Sequence, residues 1–165
     1  MNHEETMSIL DILTQDARTP PALIGAMLGL PETDVTQEIE RLESENIILK
    51  YSAIVNEEKT VRDGTVNALI EVKVTPQYQH GYEAIAQTLV MYPQVRSCYL
   101  MSGAYDYMLL VDGPSLREIA RFVTEKLAVI NGVISTSTHF ILRKYKDNHV
   151  VFPVENSDSR QVVSP

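Results

Sequence analysis

Apolar positions recur at two different periods along this chain, and the change of period divides it in two. Within residues 6–16, Met7, Leu10, Leu13 and, just beyond, Ala17 recur at helical spacing, and Pro20 with Pro21 closes that segment and opens the next. PALIGAML at 21–28 predicts a short second helix ended by Gly29. A third opens near Pro31, whose fixed φ suits a first turn, with Val35, Ile39 and Leu42 as its core stripe. Two helices joined by a tight glycine-containing turn have the spacing of a helix-turn-helix. A plain three-helix bundle has the same spacing.

From Ile47 the pattern becomes period two, in IILKYSAIVNEEKTVRDG, which predicts a strand or hairpin leading into a charged connector at 56–64. VNALIEVKVT at 66–75 then alternates with Val66, Ala68, Ile70, Val72 and Val74 on one face. A helix over 81–91 carries Tyr82, Ile85, Ala86 and Leu89 and stops at Pro93. Strands at 95–102 and 105–111 flank a Gly103–Ala104 turn. A helix over 115–130 has Ser115 as N-cap and Leu116, Ile119, Ala120, Val123, Leu127 and Ile130 as its stripe. The last strand is 133–142. The order β-α-β-β-α-β predicts an α+β fold, a helix-turn-helix domain followed by a ferredoxin-like domain whose antiparallel sheet has two helices on one face.

The expected domains are 1–50, a hairpin linker at 51–64, the ferredoxin-like domain at 65–152 and a polar tail at 153–165. Tyr99, Met101, Tyr107, Met108, Leu110 and Phe140 supply more apolar surface than two helices cover, so a symmetric homodimer burying the second sheet face is expected.

Composition removes several alternatives. With 165 residues, 44% of them apolar, the chain is globular. It has no run of eighteen apolar residues and no leader pattern, which predicts a cytoplasmic protein without a membrane span. Cys98 is the single cysteine, and His3, His80, His139 and His149 are scattered, so no metal site and no cofactor are expected. No phosphate loop, nucleophile elbow or paired catalytic acid suggests an enzyme.

Charge sharpens the picture. Of the net −8, −7 falls in residues 1–55, where ten acids face three bases. GLPETDVTQEIERLESE at 29–45 has the spacing of a DNA-reading helix, yet it carries six carboxylates and one cation, Arg41. Opposite its core stripe lie Thr33, Gln37 and Ser44, with Thr36, Glu40 and Arg41 beside them. Glutamine pairs with adenine and arginine with guanine. Arg18 and Lys50 can reach flanking phosphates. Asp34 and Glu38 on one flank, with Glu32 and Glu43 on the other, oppose the duplex charge. Acids at a helix start also complement its dipole, an equally good reading of Glu32 and Asp34.

SGAYDY at 102–107 and STST at 135–138 form a second constellation. Gly103 permits a positive φ, Asp106 offers a carboxylate to an α-ammonium group, and Thr136 and Thr138 place two hydroxyls on one side of a strand. An ordinary hairpin turn and a solvated strand explain the same residues.

ILDILTQDAR (9–18), IERLESENII (39–48), YSAIVN (51–56) and SGAYDY, in this order, resemble the Lrp/AsnC family of transcription regulators over roughly residues 6–152. The resemblance implies double-stranded DNA as partner of the first domain, and effector sensing with assembly from dimers to tetramers or octamers through the second. The effector implied is an amino acid, bound around Tyr99, Ser102, Gly103, Ala104, Asp106, Thr136 and Thr138. One departure is Ala104, where the family often has an acid, leaving either Asp106 alone for the amine or a different ligand. The rival reading, favoured by the acidic first domain, is a metabolite-sensing or protein-interaction module whose DNA binding has weakened or been lost.

Overall fold

The computed structural model describes residues 1–60, 65–75 and 82–153, in two units, one spanning Met1–Val55 and the other starting at Asn56. Parts of the expected connector (61–64), the first residue of the 81–91 helix and the tail from 154 lie outside the described residues.

In the first unit, α1 (His3–Gln15), α2 (Pro21–Leu28) and α3 (Glu32–Ser44) enclose Ile9, Leu13, Ile24 and Val35. α1 starts earlier than its apolar spacing suggests because Asn2 and Glu5 cap each other reciprocally, Asn2 accepting from the Glu5 N–H at 2.8 Å and Glu5 from the Asn2 N–H at 2.9 Å. The packed stripe of α1 is also different. Ile9 and Leu13 are buried with Ile12 against them, whereas Met7 is 45% exposed and Ala17 lies beyond the helix end. Two stripes overlap in ILDILTQ, and the one centred on Ile9 faces the neighbours.

The turn from α2 to α3 depends on two glycines. Gly29 caps α2 in the left-handed region at φ 70. A Cβ on Gly25 would stand 2.7 Å from the Leu30 carbonyl oxygen, so only glycine lets the chain fold back this closely.

The strand or hairpin expected after Ile47 does not form. Ile47 and Ile48 turn back to donate to the Leu42 carbonyl, and residues 49–56 adopt no regular structure. A strand exists only beside a hydrogen-bonded neighbour, and the described part of this unit offers none. Lys50 accordingly lies in irregular chain, and Leu49 is 81% exposed.

The second unit opens with a 3-10 turn at Glu57–Lys59 and continues through β1 (Val66–Val74), α4 (Glu83–Val90), β2 (Val95–Leu100), β3 (Tyr107–Gly113), α5 (Leu116–Phe122) and β4 (Val133–Phe140). The antiparallel sheet has the order β2-β3-β1-β4, the ferredoxin-like arrangement. Ala68, Ile70, Val72 and Val74 of β1 pack with Leu109 and Val111 of β3 and with Ile85, Leu89, Ile119, Phe122 and Leu127 from the helical layer. Their alternation is what the sequence pattern requires.

Three details depart from that pattern. α5 runs into a π-helical turn, Val123–Leu127, closed by the Ala128 N–H on the Val123 carbonyl at 2.9 Å. Leu127 is buried as its spacing requires, one π-turn on from Phe122, which the expected stripe left out, while Leu116 and Ala120 face outward. Tyr107 pairs with Val72 and is buried in the core, and Phe140, opposite Ala68, belongs to the same side; neither lies on the second sheet face. That face carries Leu69, Glu71, Tyr99, Met108, Leu110 and His139, and Met101 lies past the end of β2. A small ribbon not foreseen from the sequence, β5 (Lys146–Asp147) with β6 (Val150–Val151), turns at Asn148 and His149, both at positive φ.

Candidate functional site

α3 presents Thr33, Gln37, Glu40, Arg41 and Ser44 to solvent, with Thr36 half-buried. Exposure does not leave these side chains equally available. The Thr36 hydroxyl donates to the Glu32 carbonyl at 2.9 Å, that of Ser44 to the Arg41 carbonyl at 2.8 Å, and that of Thr33 to Asp34 at 3.2 Å. Gln37 and Glu40 point outward.

Glu38 corrects the expectation that it flanks the duplex. It is only 7% exposed and turns toward α1, accepting from the Thr6 hydroxyl at 2.6 Å. Arg41 reaches the same carboxylate with Nη2 at 2.6 Å and Nε at 3.0 Å, and its Nη1 meets Glu45 at 2.6 Å. The hydrogen bonds from Arg41, and then that from Thr6, hold the Glu38 carboxyl down at about 2, and those to Glu38 and Glu45 raise Arg41 further. The guanidinium is thus engaged on both sides within its own helix.

Arg18 and Lys50 are exposed cations of the same unit. Among the carboxylates, Glu43 accepts from the Tyr51 hydroxyl at 2.8 Å, and Glu32, Asp34, Glu40 and Glu45 are exposed. The α3 surface is therefore acidic, with its one cation already neutralised.

In the second unit, residues 101–106 join β2 to β3, closed by the Met101 N–H on the Asp106 carbonyl at 2.8 Å. Ser102, Gly103 and Ala104 are exposed at its tip, and Gly103 does not take the positive φ that its residue type permits. Asp106 faces inward along the turn. Its carboxylate accepts from the Val74 N–H at 2.8 Å and the Tyr82 hydroxyl at 3.2 Å, and its own N–H donates to the Val72 carbonyl at 3.0 Å. Tyr107 donates its hydroxyl to the Tyr82 carbonyl, and burial pushes that phenol up to about 12. Asp106 thus clips the turn to β1 and α4.

The expected effector residues do not gather in one place within this unit. Tyr99 lies on the open face of β2, while Thr136 and Thr138, opposite Val72 and Ile70, lie half-buried on the helix side of β4. β2 and β4 are the two sheet edges, three strand spacings or about 14 Å apart. A groove of about 470 Å³ between α4 and the end of the π-helical turn, lined by Ala84, Thr88, Tyr92, Lys126 and Val129, contains none of them.

One polar pair went unseen in the sequence because each member occupies an ordinary outward position of a strand. Asn67 and Asp112 face each other across β1 and β3, and Oδ1 of each is buried without a partner. Burial raises the Asp112 carboxyl, which Arg96 at 3.8 Å only partly offsets. No group of three His, Cys, Asp or Glu among the described residues can hold a metal ion, and none of their helices is long and apolar enough to cross a membrane.

The Lrp/AsnC ligand binding domain matches residues 67–151, which hold the four-stranded sheet, save the first residue of β1, and its helices. The chain belongs to the Lrp/AsnC family. The uncharacterized HTH-type transcriptional regulator YugG of Bacillus subtilis is 41% identical, covering 98% of each chain. The HTH-type transcriptional regulator LysM of Saccharolobus solfataricus is 31% identical over 86% of this chain and 94% of its own. Among solved structures, a transcriptional regulator from Neisseria meningitidis in complex with L-Met superposes with a TM-score of 0.71 at 22% identity, covering 89% of this chain and 94% of that one, a likeness of fold. This Lrp/AsnC protein is a helix-turn-helix transcription regulator with an effector-responsive ligand-binding domain.

Proposed function

We propose that this Lrp/AsnC protein binds duplex DNA through α3 and changes that binding when an amino acid occupies its second unit. The observation that carries the DNA part is the outward line of α3, where polar side chains able to meet base edges stand clear of the core. Phosphate affinity is small, because the exposed carboxylates of α3 face the duplex and Arg41 is already paired. Useful affinity then comes from several helix-turn-helix units on one duplex, through effective concentration. The open sheet face with Leu69, Tyr99, Met108 and Leu110 supports a homodimer that assembles to a tetramer or octamer.

For the effector, the proposed meeting place is the tip Ser102–Ala104, which is exposed and clipped to β1 and α4 through Asp106. Asp106 acts as the anchor of this site. The ligand shifts the population of assembly states and with it the set of helix-turn-helix pairs that can reach one duplex.

A fluorescence titration of the full chain with duplex DNA from upstream of its own gene, at low and moderate salt, tests the first part. Binding whose affinity falls only shallowly with salt is expected, because few phosphates are neutralised, and a folded oligomer that binds no duplex even at low salt overturns it in favour of a sensing or interaction module. Melting curves with each of the twenty amino acids test the second, since a ligand of the native state raises Tm with occupancy. No shift with any of them refutes an amino-acid effector.

A further inference from the structure

Among the outward side chains of α3, Gln37 and Glu40 differ from the rest in having their hydrogen-bonding groups uncommitted to the protein, while Arg41 is drawn the other way. At 100° per residue the two lie roughly 60° apart and one turn from each other, on either side of the line set by Thr33 and Ser44. Glu32 is also exposed, but it lies round the helix on the flank, in the first turn. Arg41 sits on the opposite flank, where Glu38 and Glu45 take up three of its N–H groups. For Arg41 to reach a guanine it would have to abandon Glu38, a carboxylate only 7% exposed, and leave that charge without its main partner.

We infer that α3 reads DNA sequence through Gln37 and Glu40 rather than through Arg41, so that each half-site carries an adenine facing Gln37 and, one or two base pairs away, a cytosine facing Glu40. The inference rests on the reading that α3 enters the major groove. The glutamine amide can donate an N–H to N7 of adenine while its carbonyl accepts from the 6-amino group. A carboxylate only accepts, and the cytosine 4-amino group donates to it. Guanine at that position would turn O6 and N7, and thymine O4, toward an anion, so Glu40 works chiefly by exclusion. Such a helix obtains its selectivity from the groove floor, although the same acidic surface weakens its hold on the phosphates. The spacing of the two side chains, about 5–6 Å between Cβ atoms, matches one to two base steps of 3.4 Å.

The test enriches a randomised duplex library on the full chain at low salt, alongside Gln37→Ala, Glu40→Gln and the double variant Glu38→Gln/Arg41→Gln. The double variant removes the guanidinium and the inward charge together, so the α1–α3 contact keeps a neutral hydrogen-bonded pair. The wild type is expected to enrich a half-site with the adenine and the cytosine. Gln37→Ala should lose roughly 5- to 100-fold preference for the adenine alone. Glu40→Gln should replace the cytosine by adenine at its position, and the double variant should enrich the wild-type half-site. An unchanged half-site with Glu40→Gln, or a guanine lost in the double variant, overturns the inference. Retention of duplex without enrichment of any sequence overturns it while leaving DNA binding standing. No duplex retained by the wild type overturns the DNA reading itself.

Discussion

Glu38 is the carboxylate of α3 that faces inward, and Arg41, one turn later, closes over it with two hydrogen bonds at 2.6 and 3.0 Å. Together with Thr6 this ties α3 to α1 through a polar contact at the edge of an apolar core. Glu38→Ala should lower the stability of the first unit by on the order of 1–2 kcal/mol, since the Thr6 hydroxyl and the guanidinium both lose their acceptor. Urea unfolding followed by far-UV circular dichroism measures it, and an unchanged midpoint would contradict the contact.

The same carboxylate sets an acid limit. Its folded value, about 2, lies below the ordinary 4.5, so its contribution is fully present above the ordinary value and is lost as pH falls from there toward 2. Melting temperatures of wild type and Glu38→Gln between pH 7 and 2.5 should converge on acidification. Parallel curves would refute it.

Asp112 has the opposite sign. Its folded value is raised by burial, so the protein is favoured while the carboxyl is protonated and loses that advantage as pH rises through the folded value. Asp112→Asn removes the charge and supplies an N–H for the buried Oδ1 of Asn67, which lacks a partner. The variant should melt at or above the wild-type temperature at pH 7, and a clear loss would show that the Arg96 contact matters more.

For Asp106, the clip and a direct ligand contact make different forecasts. Asp106→Ala strands the Val74 N–H and the Tyr82 hydroxyl, and should cost about 1–3 kcal/mol without any effector present. Wild-type stability in the absence of amino acids, with altered ligand response alone, would mean that the carboxylate serves the ligand instead.

Gly25→Ala asks a Cβ to occupy a place 2.7 Å from the Leu30 carbonyl oxygen, a backbone atom that cannot move without shifting the start of α3. A loss of about 1–3 kcal/mol is expected, together with weaker DNA binding as the reading helix tilts. Equal melting temperatures of variant and parent would show that the turn gives way freely.

Elements whose partners lie within the chain were legible in the sequence. The alternation of Ala68, Ile70, Val72 and Val74 fixes β1, and the proline and glycine positions around α2 and α3 mark their ends, because local geometry and burial agree there. Residues 47–55 misled for the opposite reason. Alternation states which face would be buried, but a strand also needs a neighbour to bond, and composition carries no information on that. Register explains the scattered effector set: Tyr99 and Thr136 look equivalent in sequence, yet they stand on opposite edges and opposite faces of the sheet. Thr6 with Glu38 and Asn67 with Asp112 escaped notice because their partners are distant in sequence. Arg41 misled because its type advertises a guanine reader, while its helix neighbours Glu38 and Glu45 engage it first.

The sheet order has a consequence for synthesis. β1 is the first strand of its unit to leave the ribosome, yet it lies between β3 and β4, and Ala68 must wait for Phe140 before both of its edges are bonded. Until then β1 emerges as a largely apolar strand with unsatisfied backbone on either side. The three-helix unit ahead of it, whose contacts all fall within Met1–Val55, can reach its native form first. Nascent chains arrested before β4 should therefore hold a folded helical unit joined to an incomplete sheet, whose unpaired strand edge is open to pairing with another chain.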